Sequence, residues 1–410
     1  MEFRDYQINI IDKACEVLKV NRFVYLAMEV RTGKTLTSLG IADKLKLKNV
    51  LFVTKKKAIS SIESDAEKLN ADFFLHTINY ESLHKIPSDV KWDLVVLDEA
   101  HSMGAFPKPS KRARDVRMII LKNNPNVILL SGTPTPESYS QMYHQVYALP
   151  NNPFREYVSF YKFSHKFVTI TEKMINSLRI RDYSKGLPSI MEAMKPYVIS
   201  FSQKEAGFKV RTKENVLRVE MKDSTYSLAK RLQKNLVVEG KDEVILADTP
   251  VKLMMKLHQI YSGTVKFEGG NSIVLDYSKA EFIRERFSKM KVGIFYKFKE
   301  ELNALKHVYG DDLTTELSVF EDTNKSIALQ IVSGREGISL RQAKCLVYYN
   351  IDFSATSYWQ SKDRMTTKER LENDVYWVFA NKGIEDKIYK AVTKKKDYTL
   401  SHFKKDLLTL

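Results

Sequence analysis

Cysteine is nearly missing from this chain: its 410 residues include only Cys15 and Cys345. Two cysteines so far apart in apolar surroundings predict buried free thiols in a reducing compartment. They exclude a zinc cluster unless several histidines are placed to complete it. Long apolar runs are also missing, since none approaches the roughly 20 residues that cross a bilayer, and the first residues are charged where a signal peptide would be apolar. We therefore expect a soluble, cytoplasmic protein without a membrane partner. No internal repeat is visible at the residue level.

Acidic residues are in short supply. Fifty Asp plus Glu against 66 Lys plus Arg leave a formal charge of +16, which favours a polyanionic partner. The remaining composition is that of a folded protein, with 43% apolar, 28% charged and 11% aromatic residues. A chain of this length holds at least two cores.

Residues 5 to 20 place Ile8, Ile11, Ala14, Cys15 and Leu18 at helical spacing. Apolar strands are expected at Phe23 to Ala27, Val50 to Val53, Leu94 to Leu97 and Val127 to Leu130. A second block begins near residue 273, with strands at Val292 to Tyr296, Ile327 to Ile331, Cys345 to Tyr349 and Val375 to Phe379. Short apolar strands separated by helical segments predict parallel sheets covered on both faces, with ligand-binding residues at the carboxyl ends of the strands.

The segment from 151 to 250 breaks this rhythm. Between residues 161 and 213, eleven Lys or Arg face four Asp or Glu, interleaved with Tyr161, Phe163, Phe167, Tyr183, Tyr197, Phe201 and Phe208. It reads either as a basic insertion that grips phosphate or as a helical connector whose aromatics form their own core. The expected division is 1–150, 151–250 and 251–410.

Three polar motifs follow strands of the first block. Met28-Glu29-Val30-Arg31-Thr32-Gly33-Lys34-Thr35 places Gly-Lys-Thr where a strand passes into a helix. There, backbone N–H groups and the helix N-terminus surround phosphate, Lys34 reaches the β- and γ-phosphates, and the Thr35 hydroxyl ligates Mg²⁺. The usual first glycine is replaced by Met28. Asp98-Glu99-Ala100-His101 supplies a carboxylate for Mg²⁺ in Asp98 and one that activates the attacking water in Glu99, with His101 in the polar link beside them. Ser131-Gly132-Thr133-Pro134 offers hydroxyls and a tight turn that sense the phosphate. In this order the three motifs point to a nucleotide hydrolase.

The order resembles helicase superfamily 2, and within it the Swi2/Snf2-like DNA translocases, including small phage-type members. The resemblance spans nearly the whole chain outside the middle segment. It implies an α/β fold of two tandem RecA-like domains with parallel sheets, a nucleotide site between them, and a variable, mainly helical basic insertion between their cores. The family's phosphate loop often lacks the first glycine and carries an acidic residue where Glu29 stands. By the same resemblance, Tyr6 and Gln7 recognise adenine. Thr54, Lys55, Asn79 and Tyr80 touch the nucleic-acid backbone.

In the second block, Phe295-Tyr296-Lys297 resembles the start of the fourth motif. Gly334-Arg335-Glu336-Gly337-Ile338-Ser339-Leu340 resembles the fifth, with Gly334 and Arg335 on the nucleic-acid backbone and Gly337 at the nucleotide. Gln360-Ser361-Lys362-Asp363-Arg364 resembles the sixth, where Arg364 approaches the γ-phosphate and Gln360 joins the catalytic set. The family's second arginine is replaced by Thr367, with Lys368 and Arg370 nearby.

The resemblance implies an ATP- and Mg²⁺-dependent DNA translocase or helicase, working as a monomeric motor on duplex, forked or single-stranded DNA in a bacterial or phage-infected host cell. A fork-remodelling or strand-annealing helicase is an alternative. A nucleic-acid-binding scaffold with weak ATPase is another, from a different class.

Overall fold

The apolar runs become the centres of two parallel sheets. The structure, a computed structural model, describes residues 2–394 except 88, 176–177, 210, 241–242, 335–337 and 368–370. One compact unit ends at Gly207 and the other spans Phe208–Lys394.

In the first unit, helix α1 (Asp5–Asn21) precedes β1 (Phe23–Met28), and α2 (Lys34–Lys44) follows it. The further strands are β2 (Asn49–Thr54), β3 (Phe74–Asn79), β4 (Leu94–Leu97), β5 (Asn126–Leu130), the hairpin β6 (Thr171–Ile175) with β7 (Leu178–Asp182), and β8 (Val198–Phe201). The main sheet has the order β3-β2-β4-β5-β1-β8, and every pairing is parallel. Helices cover both faces, so β1 alternates between two cores. Phe23, Tyr25 and Ala27 enter one, and Val24, Leu26 and Met28 enter the other.

The second unit repeats the scheme with β9 (Arg211–Val219), the two-stranded ribbons β10 (Val237–Glu239) with β11 (Val244–Leu246) and β12 (Thr264–Lys266) with β13 (Ser272–Val274), then β14 (Gly293–Tyr296), β15 (Leu313–Thr314), β16 (Ser326–Gln330), β17 (Leu346–Tyr348) and β18 (Glu372–Ala380). Its main sheet has the order β15-β16-β14-β17-β18-β9, again parallel throughout. The architecture is α/β, with two tandem RecA-like units.

Every strand expected from an apolar run is present, and each lies inside a sheet. The four sheet strands that the pattern did not reveal, β3, β8, β9 and β15, are the four edges. An edge strand has one unpaired side and less cover, so Arg211–Val219 keeps polar side chains such as Arg211, Lys213 and Arg218 and never forms an apolar run.

The 151–250 segment is divided between the units at Gly207. Its first part adds β8 beside β1, and its second adds β9 beside β18. Most of its aromatics pack: Phe163, Phe167 and Tyr183 are buried with Tyr143 and Phe154 in the first unit's core, while Tyr161 is exposed. Among the described residues, no helix is long and apolar enough to cross a membrane.

Candidate active site

The phosphate loop begins one residue later than its motif suggests. Met28 is still in β1, paired with Phe201 of β8 and fully buried, so the first-glycine position is a strand position that needs a core side chain. The turn runs over residues 29–33. Arg31 and Gly33 both take positive φ, 63° and 83°, and Gly33 caps the N-terminus of α2. A β-carbon on Gly33 would stand 2.5 Å from Gln7 Nε2, so both the backbone angle and the space require glycine.

Three expected nucleotide ligands are placed as braces of this loop. Gln7 is buried, its Nε2 donating to Gly33 O at 3.4 Å and to Thr37 Oγ1 at 3.4 Å, while Oε1 accepts from Arg4 N at 3.1 Å. The Gln7 carboxamide thus braces the loop from the side of α1. Thr32 is also buried, and its hydroxyl donates to Glu29 O at 2.7 Å. The Glu29 carboxylate accepts from Gln203 N at 2.7 Å. Lys34 and Thr35 follow on the first turn of α2.

Tyr6 donates its hydroxyl to Thr32 O at 3.1 Å and stacks on Phe201, with centroids 4.5 Å apart and planes at 20°. Sequence reasoning missed Phe201 and Gln203 as parts of this site. Phe201 was visible only as an aromatic in a basic stretch, because nothing local in Val198–Phe201 says that it pairs with β1.

The acidic motif stands at the end of β4. Asp98 is half-buried, and Thr54 Oγ1 donates to its Oδ2 at 2.8 Å while Tyr80 OH donates to its backbone carbonyl at 2.6 Å. Burial, then the neighbouring Glu99, push the Asp98 carboxyl up to about 6, and Lys34 and the Thr54 hydrogen bond oppose the rise. Glu99 adopts a left-handed backbone, φ 49°, a conformation that costs energy in a residue with a β-carbon. His101 Nδ1 lies 3.3 Å from Glu99 Oε2 and 3.0 Å from Ser131 Oγ. Ser131 Oγ also accepts from Thr133 N at 3.1 Å. A β-carbon on Gly132 would lie 3.4 Å from Met28 O and 3.6 Å from Lys34 Nζ, so this turn rests directly on the phosphate loop. The three motifs are one assembly.

Of the expected backbone contacts, Thr54 and Tyr80 are each 1% exposed, and both give their hydroxyls to Asp98. Lys55 caps the next turn at intermediate exposure. Asn79 Oδ1 is buried without a hydrogen-bond partner.

In the second unit, Arg364 lies on the turn Asp363–Met365. It is 8% exposed, with Nη1 donating to Ile338 O at 3.3 Å and its own carbonyl accepting from Leu340 N at 2.8 Å. The later part of the fifth motif, at Ile338 and Leu340, therefore holds it. Gly334 ends the short helix Ile331–Gly334, and Gln360 lies on the helix Ala355–Lys362. Arg335, Gly337, Lys368 and Arg370 and the side chain of Gln360 lie outside the described residues. Lys297 Nζ pairs with Asp352 Oδ1 at 2.8 Å.

The model of the SNF2-related domain matches residues 20–264, more than half of the chain. The chain belongs to the SNF2-related family. Among solved structures, it is similar to the Sulfolobus solfataricus SWI2/SNF2 ATPase core in complex with dsDNA, at 17% identity and a TM-score of 0.43, covering 98% of this chain and 92% of that one. It is similar also to the Sulfolobus solfataricus SWI2/SNF2 ATPase core domain, at 16% identity and a TM-score of 0.42, covering 97% and 89%. The Swi2/Snf2-like resemblance seen in the motifs is thus a family membership.

The donor set of this SNF2-related chain fits a magnesium nucleotide. Asp98 and Thr35 are hard oxygen donors, and two adjacent, half-buried carboxylates leave negative charge that a divalent cation offsets. Among the described residues, no cluster of three or more His, Cys, Asp or Glu could hold a metal by itself. That suits Mg²⁺, which takes one or two carboxylates and completes its shell with phosphate and water.

Proposed function

We propose that the protein is a DNA-stimulated ATP hydrolase that couples turnover to movement along the DNA backbone. The observation that carries this reading is Asp98, half-buried beside Glu99, with its charge stabilised by Lys34 of a loop built around Gly33. Membership of the SNF2-related family supports an ATP hydrolase acting with nucleic acid.

In this reading Lys34 and the N-terminus of α2 bind the phosphates of ATP. Tyr6, backed by Phe201, presents a flat ring for the base. A magnesium ion held by Asp98 and Thr35 would neutralise charge on the transferring phosphoryl group. Glu99 orients the attacking water and draws off its proton, while His101 and Ser131 fix the Glu99 carboxylate. Ser131, Gly132 and Thr133 pass the state of the phosphate loop to the rest of the unit. Arg364 stabilises the charge that develops in the transition state. Lys55, Gly334 and Arg335 contact DNA phosphates, and the ATP cycle alternates the grips of the two RecA-like domains on one strand. Backbone contact by a chain of +16 charge implies little sequence preference and strong salt dependence.

ATP turnover measured without nucleic acid and with single-stranded, duplex and forked DNA tests the reading. DNA should stimulate turnover, added salt should weaken the stimulation, and Lys34→Ala should abolish it. Equal rates with and without every nucleic acid, unchanged in Lys34→Ala, overturn the motor. A triplex-displacement assay beside a strand-displacement assay separates tracking, which we expect, from unwinding.

A further inference from the structure

The carboxylate of Glu214 collects more hydrogen bonds than a strand residue at a sheet edge needs. It lies on β9, yet it accepts from Tyr358 OH at 2.9 and 2.8 Å, Lys362 Nζ at 2.6 Å, Trp377 Nε1 at 2.9 Å and Tyr389 OH at 3.2 Å. These donors come from the helix Ala355–Lys362, from β18 and from the helix Glu385–Lys394. Burial alone would raise the proton affinity of Glu214. Lys362 and the other donors reverse this and hold its carboxyl below the usual range.

Tyr358 and Lys362 are four residues apart and therefore share one helix face, so a single carboxylate seizes the last turn of that helix. The ring of Tyr358 is stacked on Trp377 at 5.3 Å, and Lys362 Nζ lies 4.0 Å from the Tyr358 centroid. The helix runs without a break into the turn that carries Arg364. From the other side, Ile338 and Leu340 hold Arg364 by the two hydrogen bonds described above. The arginine is thus fixed from both directions. Lys362, 6% exposed and bound to Glu214, is committed and does not replace the cation missing at Thr367.

A buried ion pair is a weak device for stability, because desolvation offsets its attraction, and apolar packing would hold the helix as well. Directional hydrogen bonds set orientation instead, and an arginine serving a transferring phosphoryl group depends on orientation. We propose that Glu214 is a positioning residue that sets the placement of Arg364 for phosphoryl transfer through Lys362 and Tyr358. This rests on the ATP-hydrolase reading.

The test is a double-mutant cycle on the full chain, with single-turnover hydrolysis to follow slow rates. Parent and Lys34→Ala are measured first, and a parent without turnover overturns the ATP-hydrolase reading and this proposal together. With an active parent, Glu214→Gln should lower kcat by about 10- to 100-fold while leaving the KM for ATP and the affinity for duplex DNA within about twofold. In an Arg364→Ala background the same substitution should lower kcat no further, because the group it positions is gone.

Equal losses in both backgrounds mean that Glu214 acts through the folded fraction, which overturns this proposal and leaves the ATP-hydrolase reading standing. If Glu214→Gln does not fold, Lys362→Met takes its place in the cycle with the same two outcomes, since it removes the Lys362 bond from the helix end and leaves Glu214 its remaining donors.

Discussion

Thr54 Oγ1 donates a 2.8 Å hydrogen bond to Asp98 Oδ2, so the last residue of β2 holds the carboxylate at the end of the neighbouring β4. Tyr80, just past β3, holds the Asp98 carbonyl from the next strand outward. Residues whose motifs suggest contact with nucleic acid give their hydroxyls to Asp98.

Thr54→Val removes that donor at nearly constant volume. A hydrogen bond to a charged group contributes about 1.5–3 kcal/mol, so turnover should fall roughly 10- to 100-fold. DNA affinity and its salt dependence should stay as in the parent. Loss of DNA affinity with unchanged turnover would restore Thr54 to the DNA-binding set.

Asp98 gives the site a pH dependence of known sign. Its folded-state pKa, about 6, exceeds the ordinary 3.8. Between these values the folded chain keeps a proton that the unfolded chain has released, so metal-free stability falls as pH rises through this window. Mg²⁺ needs the ionised carboxylate, and its apparent affinity should be about tenfold weaker at pH 5 than at pH 7. Calorimetric titration with Mg²⁺ and a non-hydrolysable nucleotide checks this, and a constant affinity over that range would refute it.

Glu99→Gln should retain ATP binding and lose turnover by about 100-fold or more. Arg364→Ala should also lose turnover, with only a modest loss of DNA binding. Nucleotide binding and steady-state rates on the same preparations decide both, and parent-like turnover in either variant contradicts the assigned role.

Phe201→Ala leaves Tyr6 without its stacked neighbour. An aromatic pair contributes about 0.5–1.5 kcal/mol beyond its buried area, so the KM for ATP should rise by about two- to tenfold with kcat little changed. A fall in kcat at constant KM would assign Phe201 elsewhere.

Lys279 and Glu385 form a 2.7 Å ion pair with both side chains fully buried. Glu385→Ala strands an ammonium in the core and should cost about 3–5 kcal/mol of stability. Lys279→Met combined with Glu385→Leu should recover most of that loss in urea unfolding. A double variant as unstable as Glu385→Ala would show that packing, and not stranded charge, is responsible.

The sequence alone determined the interior of each sheet and the chemistry at its strand ends. A strand covered on both faces must be apolar along its length, so β1, β2, β4, β5 and β14, β16, β17, β18 each announce themselves. Gly33, Lys34, Thr35, Asp98 and Glu99 were legible because a Gly-Lys-Thr and an acidic pair directly after such strands form a pattern visible in the sequence itself.

Tertiary structure alone decided what braces them. The edge strands β3, β8, β9 and β15 carry no pattern of their own, since one side of each is unpaired, and from these edges or just beyond them come Tyr80, Phe201, Gln203 and Glu214. Their partners lie far along the chain, with Gln203 174 residues from Glu29 and Glu214 148 residues from Lys362. A hydrogen bond between residues so distant leaves no local periodicity, and only parallel pairing, such as Met28 with Phe201, brings the groups together.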